Sequence, residues 1–419
     1  MDSLAVFLNS SFVHFDLVWQ SLKDCSSRGA MGKKPILSIP QKGKDFTAEW
    51  FNEFFQPEYG AAVLNVDREV IGTGVGFVGE VHRCFLQWDA SREDLPSSVI
   101  VKVPSKLPLN RSLGEGLQLY EREIITYQKL SSNMGLPMPK VFYSVMDDDP
   151  TPWLDSLINF FFTRLPLGGV SWLTVKFLKL ASKNPKLRRY ILVLEDISDA
   201  RPPSQVVGGS LDDALTSLTT LAKFHAHHWL REESIAISER IWPLNRLPKV
   251  IQASYARNRD EFLDRFGDLV GKEKMKILDE AQKNLADLLA PLANDPWTLL
   301  HGDYRLDNIM FRPDGKIIVI DYQMLCKGRP GWDVAYFITT ALSSDHKNEE
   351  EKMLLHYHET LCSEGVVGYS YQDLVHDVDL TKLLLAHRLV GSRDAFDTEL
   401  QNSDETFVDV LVKRVVGWI

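Results

Sequence analysis

Cysteine is scarce in this sequence, and what there is of it is dispersed. The four cysteines, Cys25, Cys84, Cys326 and Cys362, form no CxxC pair, which argues against a zinc cluster or a disulfide framework and predicts buried thiols in a reducing compartment. Long apolar runs are lacking as well, since none reaches the roughly 18 residues that span a bilayer. The nearest candidate, Leu165 to Val175, is bounded by Arg164 and Lys176 and interrupted by Pro166 and Gly168-Gly169. Asp2 precedes the first basic residue, so the N-terminus does not read as a secretory leader. A cytoplasmic location is the expectation. Excess positive charge is missing too: 47 Lys and Arg stand against 57 Asp and Glu, a net charge of −10. That excludes a general nucleic-acid binder, which needs a basic footprint.

What is present is an ordinary globular composition, 44% hydrophobic and 25% charged over 419 residues, enough for two lobes. Residues 1–44 read as a partly disordered extension, with Ser, Gly and Lys clustered from Ser26 to Lys34. Trp50, Phe51, Phe54 and Phe55 fall at helical spacing, in a helix expected to end before Pro57. Gly74, Gly76 and Gly79 then form GxGxxG. A dinucleotide fold requires a helix to start at such glycines. Glu80–Trp88 instead carries Val, Phe, Leu and Trp without a helical stripe, as the second strand of a hairpin would. In that hairpin the glycines would let backbone amides approach a phosphate; a plain glycine-rich turn is the other reading.

Ser98–Pro104 reads SVIVKVP, a short strand in which Lys102 either faces solvent from a sheet edge or serves as an internal cation. A helix is expected over 117–130, where Glu121 or Glu123 could pair with that lysine; for Glu121 a solvated charge face is the competing reading. The segment Leu192–Ile197 passes from an apolar strand into acidic chain, as a connection between lobes does, and helices dominate after it. Ser210 with Asp213 is an N-capping signature for a helix to Trp229. His225, His227 and His228 on that helix lack a further acidic or Cys ligand at metal spacing, so helix packing is the better reading. Another amphipathic helix is expected over Glu273–Leu292, with Ile277 in its apolar stripe.

The most informative stretch is HGDYRLDNIMFRPDGKIIVIDYQ, from His301 to Gln323. Its spacing sets His301, Asp303 and Asn308 in one loop and delivers Asp321 at the end of an apolar strand. Asp303 could orient and deprotonate a hydroxyl, while Asn308 and Asp321 offer oxygen ligands to Mg²⁺.

Taken with Glu123-Ile124-Ile125-Thr126-Tyr127, Leu194-Glu195-Asp196-Ile197, Leu221–Ala226 and Asp333-Val334-Ala335-Tyr336-Phe337, this stretch resembles the small-molecule branch of the protein-kinase-like superfamily. The resemblance is to aminoglycoside phosphotransferases and choline kinases, and within them to the ecdysteroid-kinase-like group. It implies an α+β bilobal fold. Residues 45–195 would form the nucleotide-binding lobe and residues 196–419 the helical, catalytic and substrate-binding lobe. It also implies ATP, less often GTP, and Mg²⁺ as cofactors, with a small-molecule hydroxyl compound as acceptor: a steroid-like or other lipophilic alcohol, a choline-like compound or a sugar alcohol. Carried over by position, Asp303 is the base and His301 supports its loop. Asn308 and Asp321 hold the metal, and Lys102, fixed by Glu123, holds phosphates beneath Gly74, Gly76 and Gly79. Glu195 to Ile197 are the hinge, and Asp333 braces the large lobe.

Two departures matter. His301-Gly302-Asp303 and Asp321-Tyr322-Gln323 stand where protein kinases carry HRD and DFG, which argues against protein substrates. An insertion of about forty residues, 150–189, holds aromatics and several lysines. It reads either as a lid or docking surface, with peripheral membrane contact possible, or as a segment packed on the small lobe. The alternatives to a small-molecule kinase are a non-catalytic nucleotide-binding scaffold on the same fold and, more remotely, a dinucleotide-dependent oxidoreductase. Oligomeric state is not encoded legibly.

Overall fold

The computed structural model describes residues 39–71, 79–149, 154–181, 188–201, 203–236, 240–342, 344–391 and 407–419. Gly74 and Gly76 lie outside them, as do residues 1–38. The small lobe is one antiparallel sheet of five strands: β1 (Val63–Ile71), β2 (Gly79–Trp88), β3 (Ser98–Pro104), β4 (Val141–Met146) and β5 (Tyr190–Glu195), in the order β1-β2-β3-β5-β4. β1 and β2 pair as a hairpin with Ile71 opposite Val81. The glycine motif therefore leads into a strand, and the dinucleotide reading falls.

The two-residue period of β3 sorts its side chains. Val99, Val101 and Val103 are buried with Trp50, Phe51 and Phe55 of the Ala48–Tyr59 helix, which covers one face of the sheet. That helix continues past Pro57 and ends on Gly60, whose N–H bonds Gln56 O. Ile100 and Lys102 point to the other face, where the Leu119–Lys129 helix packs with Leu192 and Leu194 of β5. β3 lies between β2 and β5, so Lys102 is on a central strand and the edge-strand reading is overturned. The end of the N-terminal extension belongs to this lobe: Ile39 is buried in its core, and Gln41 Nε2 donates to Tyr190 O at 3.2 Å.

Helices make most of the large lobe. Asp213 N donates to Ser210 Oγ at 3.1 Å and starts the Leu211–His227 helix as expected. The helix expected over 273–292 begins near its expected start, because Pro248–Lys283 is broken at Gly271 (φ +76°, ψ 161°), but it is interrupted before Leu285–Ala293, and Ile277 is exposed rather than in the stripe. Helices Gly331–Ala341, Glu350–Ser363, Tyr371–Gly391 and Phe407–Trp418 complete the lobe. Between them lie β6 (Trp242–Pro243), β7 (Thr298–Leu300) and β10 (Cys326–Gly328) in one small sheet, and the β8–β9 hairpin (Ile309–Phe311, Ile317–Val319) in another. One apolar core joins the lobes, with Leu119, Ile124 and Tyr127 packed among Tyr304, Tyr322 and Phe337.

The insertion contains two helices, Leu154–Arg164 and Leu167–Ala181. The second packs against both the small lobe's Pro108–Gly116 helix and the large lobe's Pro248–Lys283 helix. It therefore bridges the lobes rather than lying on the small one alone. Among the described residues no helix is long and apolar enough to cross a membrane.

Candidate active site

Four local structures bring polar side chains together between the lobes. β3 supplies Lys102, and its Nζ lies 2.5 Å from Glu123 Oε1 on the facing helix and 3.8 Å from Asp321 Oδ1. Burial alone would discharge this ammonium; the carboxylates of Asp321 and Glu123 reverse that and push it up to about 12. One ammonium serves two carboxylates. Glu121, one residue before Glu123, is not on a solvated face. It is buried and paired with Arg188 at 2.7 Å and Arg240 at 3.2 Å.

Asp321 stands two residues after β9 with φ of +67°, a left-handed conformation that few residues but Gly, Asn and Asp adopt readily. Its Oδ2 accepts from Gln323 Nε2 at 3.2 Å, while Oδ1 is buried with no hydrogen-bond partner. A buried carboxylate oxygen without a donor is costly, and a divalent cation is the partner its chemistry suits.

Opposite, the 301–308 loop is held from below. Asp333, fully buried on the Gly331–Ala341 helix, accepts from His301 N at 2.7 Å and Gly302 N at 2.9 Å. His225 Nε2 lies 3.3 Å from the same carboxylate, and its Nδ1 is 2.7 Å from Tyr357 Oη. Gly302 is obligatory here: its φ is +80°, and a Cβ would sit 2.2 Å from Met324 O. His301 Nε2 reaches Ile320 O at 3.1 Å, tying this loop to the residue before Asp321. Asn308 Nδ2 donates to Asp303 Oδ2 at 3.1 Å and to Asp303 O at 2.9 Å, which leaves its Oδ1 as the ligand-type atom. Burial raises the Asp303 pKa, but Arg305, the Tyr336 hydroxyl and His301 outweigh it and hold the carboxyl below the ordinary value. Asp303 is a carboxylate.

Several members of this site were not read from the sequence. Arg305 Nε lies 3.3 Å from Asp303 Oδ2, and its NH1 lies 2.5 Å from Asp307 Oδ2. Tyr336 sits one helical turn after Asp333, a spacing that places both toward the same loop and was available as a signal. His225 and Tyr357 are braces; His227 and His228 bond Asn133, Ser234 and Met134 O. Among the described residues no group of three or more His, Cys, Asp or Glu could hold a metal. Two protein ligands are ordinary for Mg²⁺, which usually keeps waters and substrate phosphates as its other ligands.

At the hinge, Glu195 accepts from Arg312 NH2 at 2.7 Å and Lys140 N at 3.0 Å, so its side chain is a clasp between lobes. Ile197 joins Ala200, Ile318, Met310 and Ile320 in a small apolar cluster beneath the connection. Gly79 opens β2 opposite Pro104. Cys84 and Cys326 are buried free thiols, pushed up to about 12 by burial, whereas Cys362 is exposed, contrary to expectation.

A five-stranded antiparallel sheet over a helical lobe, with a Lys–Glu pair above and an Asp–Asn loop below, defines a bilobal α+β protein of the kinase-like class. The ecdysteroid kinase-like family matches residues 73–364, and the chain belongs to that family. Among solved structures it is similar to a spectinomycin phosphotransferase in complex with ADP and spectinomycin, at 11% identity and a TM-score of 0.49, covering 89% of this chain and 97% of that one. It is also similar to an ethanolamine kinase of Plasmodium vivax, at 13% identity and a TM-score of 0.44, covering 84% and 82%. A stretch of 84 residues, 20% of this chain, is 33% identical to acyl-CoA dehydrogenase family member 11 of Gallus gallus and spans 11% of that protein.

Proposed function

We propose that this chain is an ATP- and Mg²⁺-dependent phosphotransferase that moves the γ-phosphate to a hydroxyl of a small molecule. One observation carries the reading. Lys102 is clamped between Glu123 and Asp321, whose Oδ1 has no hydrogen-bond donor beyond that ion pair, and the residue before Asp321 is tied to the loop of Asp303 and Asn308 by Ile320 N donating to Asn308 O at 2.9 Å and by His301 at Ile320 O. Phosphoryl transfer asks a protein mainly for positioning and charge, and these five groups supply both.

In this reading Lys102 binds the α- and β-phosphates, and Glu123 keeps its ammonium in place. Asp321 and Asn308 would hold Mg²⁺, which would supply charge neutralisation for the phosphates. Asp303, ionised and steered by Asn308 and Arg305, accepts a hydrogen bond from the acceptor hydroxyl and takes its proton as the new O–P bond forms and the bond from the γ-phosphorus to the β-phosphate oxygen breaks, with ADP leaving. Glu195 to Ile197 meet the base through backbone groups, with Ile197, Met310 and Ile320 as its apolar bed. Gly74, Gly76 and Gly79 cover the phosphates. The acceptor class we favour is a steroid-like or other lipophilic alcohol, with choline-like and sugar alcohols as comparators. The enzyme acts in the cytoplasm, and the insertion supplies peripheral membrane contact through the exposed Phe160 and Trp172.

The test is a metabolite-library screen for Mg·ATP-dependent gain of one phosphate, with Asp303→Asn beside the wild type. The variant should lose turnover by at least a hundredfold, within the usual range for general-base removal. Equal turnover by the variant removes Asp303 from its role, and a wild type that binds NADH but not Mg·ATP sinks the reading.

A further inference from the structure

Three consecutive residues of the Leu119–Lys129 helix leave it in three directions. Glu121 reaches Arg188 and Arg240, and Glu123 reaches Lys102. Arg122, between them, runs into the large lobe and is 4% exposed. Its Nε donates to Arg240 O, its NH1 to Gln323 O and its NH2 to Leu117 O, each at 3.2 Å. The Trp242 ring lies 4.7 Å from the guanidinium and carries Arg246 at 3.7 Å as well.

None of the acceptors is a carboxylate. Burial lowers this guanidinium to about 10, still protonated at neutral pH. A buried cation with only carbonyl partners is an expensive way to fill space, because an apolar side chain of similar volume avoids the desolvation. What the guanidinium adds is geometry. Its fork is planar and rigid, and it joins three separate segments: the residue run before its own helix, the turn leading into β6, and the loop two residues beyond Asp321.

We infer that Arg122 is a positioning residue of the phosphate site, setting the Glu123 helix against the Asp321 loop so that Lys102 meets both carboxylates. The inference rests on the phosphotransferase reading. Gln323 also donates to Asp321 Oδ2, so the carbonyl that Arg122 grips belongs to the residue that steers that carboxylate. Loss of the fork frees the helix to turn, and the Lys102–Glu123 contact is the first to open.

A double-mutant cycle separates this role from plain core packing. Mg·AMP-PNP affinity is measured on the full chain for wild type, Arg122→Met, Glu123→Gln and the double variant, with amide exchange followed over 119–129. Arg122→Met should weaken binding at least tenfold and speed exchange of that helix. In the Glu123→Gln background it should add less than a twofold loss, because the contact it protects is already gone. An equal loss in both backgrounds, or unchanged affinity in a folded Arg122→Met, overturns the inference. If Arg122→Met does not fold, Arg122→Lys keeps the charge without the fork and is read through the same cycle by the same criterion. A wild type that binds no Mg·AMP-PNP overturns the phosphotransferase reading instead, so the two failures are distinguishable.

Discussion

Replacing Asp333 with asparagine changes one atom type and should unseat the loop that carries Asp303. The carboxylate takes three donors: Oδ1 accepts from Gly302 N, and Oδ2 from His301 N, with His225 Nε2 beside it. Asparagine offers one acceptor oxygen and one NH₂. Turned to serve His301 and His225, it points NH₂ at the Gly302 N–H; turned the other way, it points at two donors. At best one buried N–H is orphaned, at about 1–3 kcal/mol, and the surviving bonds lose charge assistance worth roughly 1 kcal/mol each. The sum is about 4 kcal/mol. The lobes share one core, so a unit of roughly 400 residues melts with an unfolding entropy of about 0.8 kcal/mol/K, and Tm should fall by about 5 °C. Differential scanning calorimetry measures the shift, and Mg·ATP turnover below the new Tm should also drop, because the loop that carries Asp303 loses its anchor at His301 N and Gly302 N. A variant that melts within 1–2 °C (about the shift of a surface substitution) and keeps its turnover would refute the argument that Asp333 holds the loop.

Arg305→Met removes the cation that holds Asp303 ionised. A carboxyl with a lowered folded pKa is active above that value and loses activity, and the associated stability, as pH falls through it. Without Arg305 only the Tyr336 hydroxyl and His301 oppose burial, and the acid limb of the kcat/KM profile should move up by about 1 pH unit or more; an unmoved limb assigns Arg305 elsewhere. Vesicle sedimentation tests the insertion. Phe160 and Trp172 are exposed, with Arg164 3.9 Å and Lys176 5.8 Å from their rings, and cation-flanked aromatics of this kind suit an anionic bilayer surface. Binding to phosphatidylserine-containing vesicles should fall by about tenfold or more in Phe160→Ser/Trp172→Ser. Equal sedimentation of the two proteins, or none by the wild type, removes the membrane role.

Much of the site was legible because its parts are close in sequence. His301, Asp303, Asn308 and Asp321 lie within one loop and one hairpin, and local backbone rules place them: a turn at Pro313-Asp314-Gly315, a short apolar strand, and a glycine where a Cβ would strike Met324 O. Lys102 was ambiguous for the opposite reason. Alternation along β3 put it on the face away from Val101 and Val103, but whether that face met water or a helix depended on which strands flank β3. Glu121 and Glu123 posed the same problem. Both sit on one short helix, and only the packed lobes show that one faces Lys102 while the other is clamped by Arg188 and Arg240.

Apart from Arg305, which lies two residues from Asp303, the residues that escaped sequence reasoning act across long separations. Arg122 joins Gln323, Arg312 joins Glu195, and Tyr357 joins His225. No period or spacing links such pairs, since they meet only when separate elements pack into a common core. Hydrophobic periodicity and turn chemistry, both local, determined the order of elements and the loop chemistry of this protein. Its tertiary structure decided which buried charges face one another, because burial and charge pairing are set by neighbours distant along the chain.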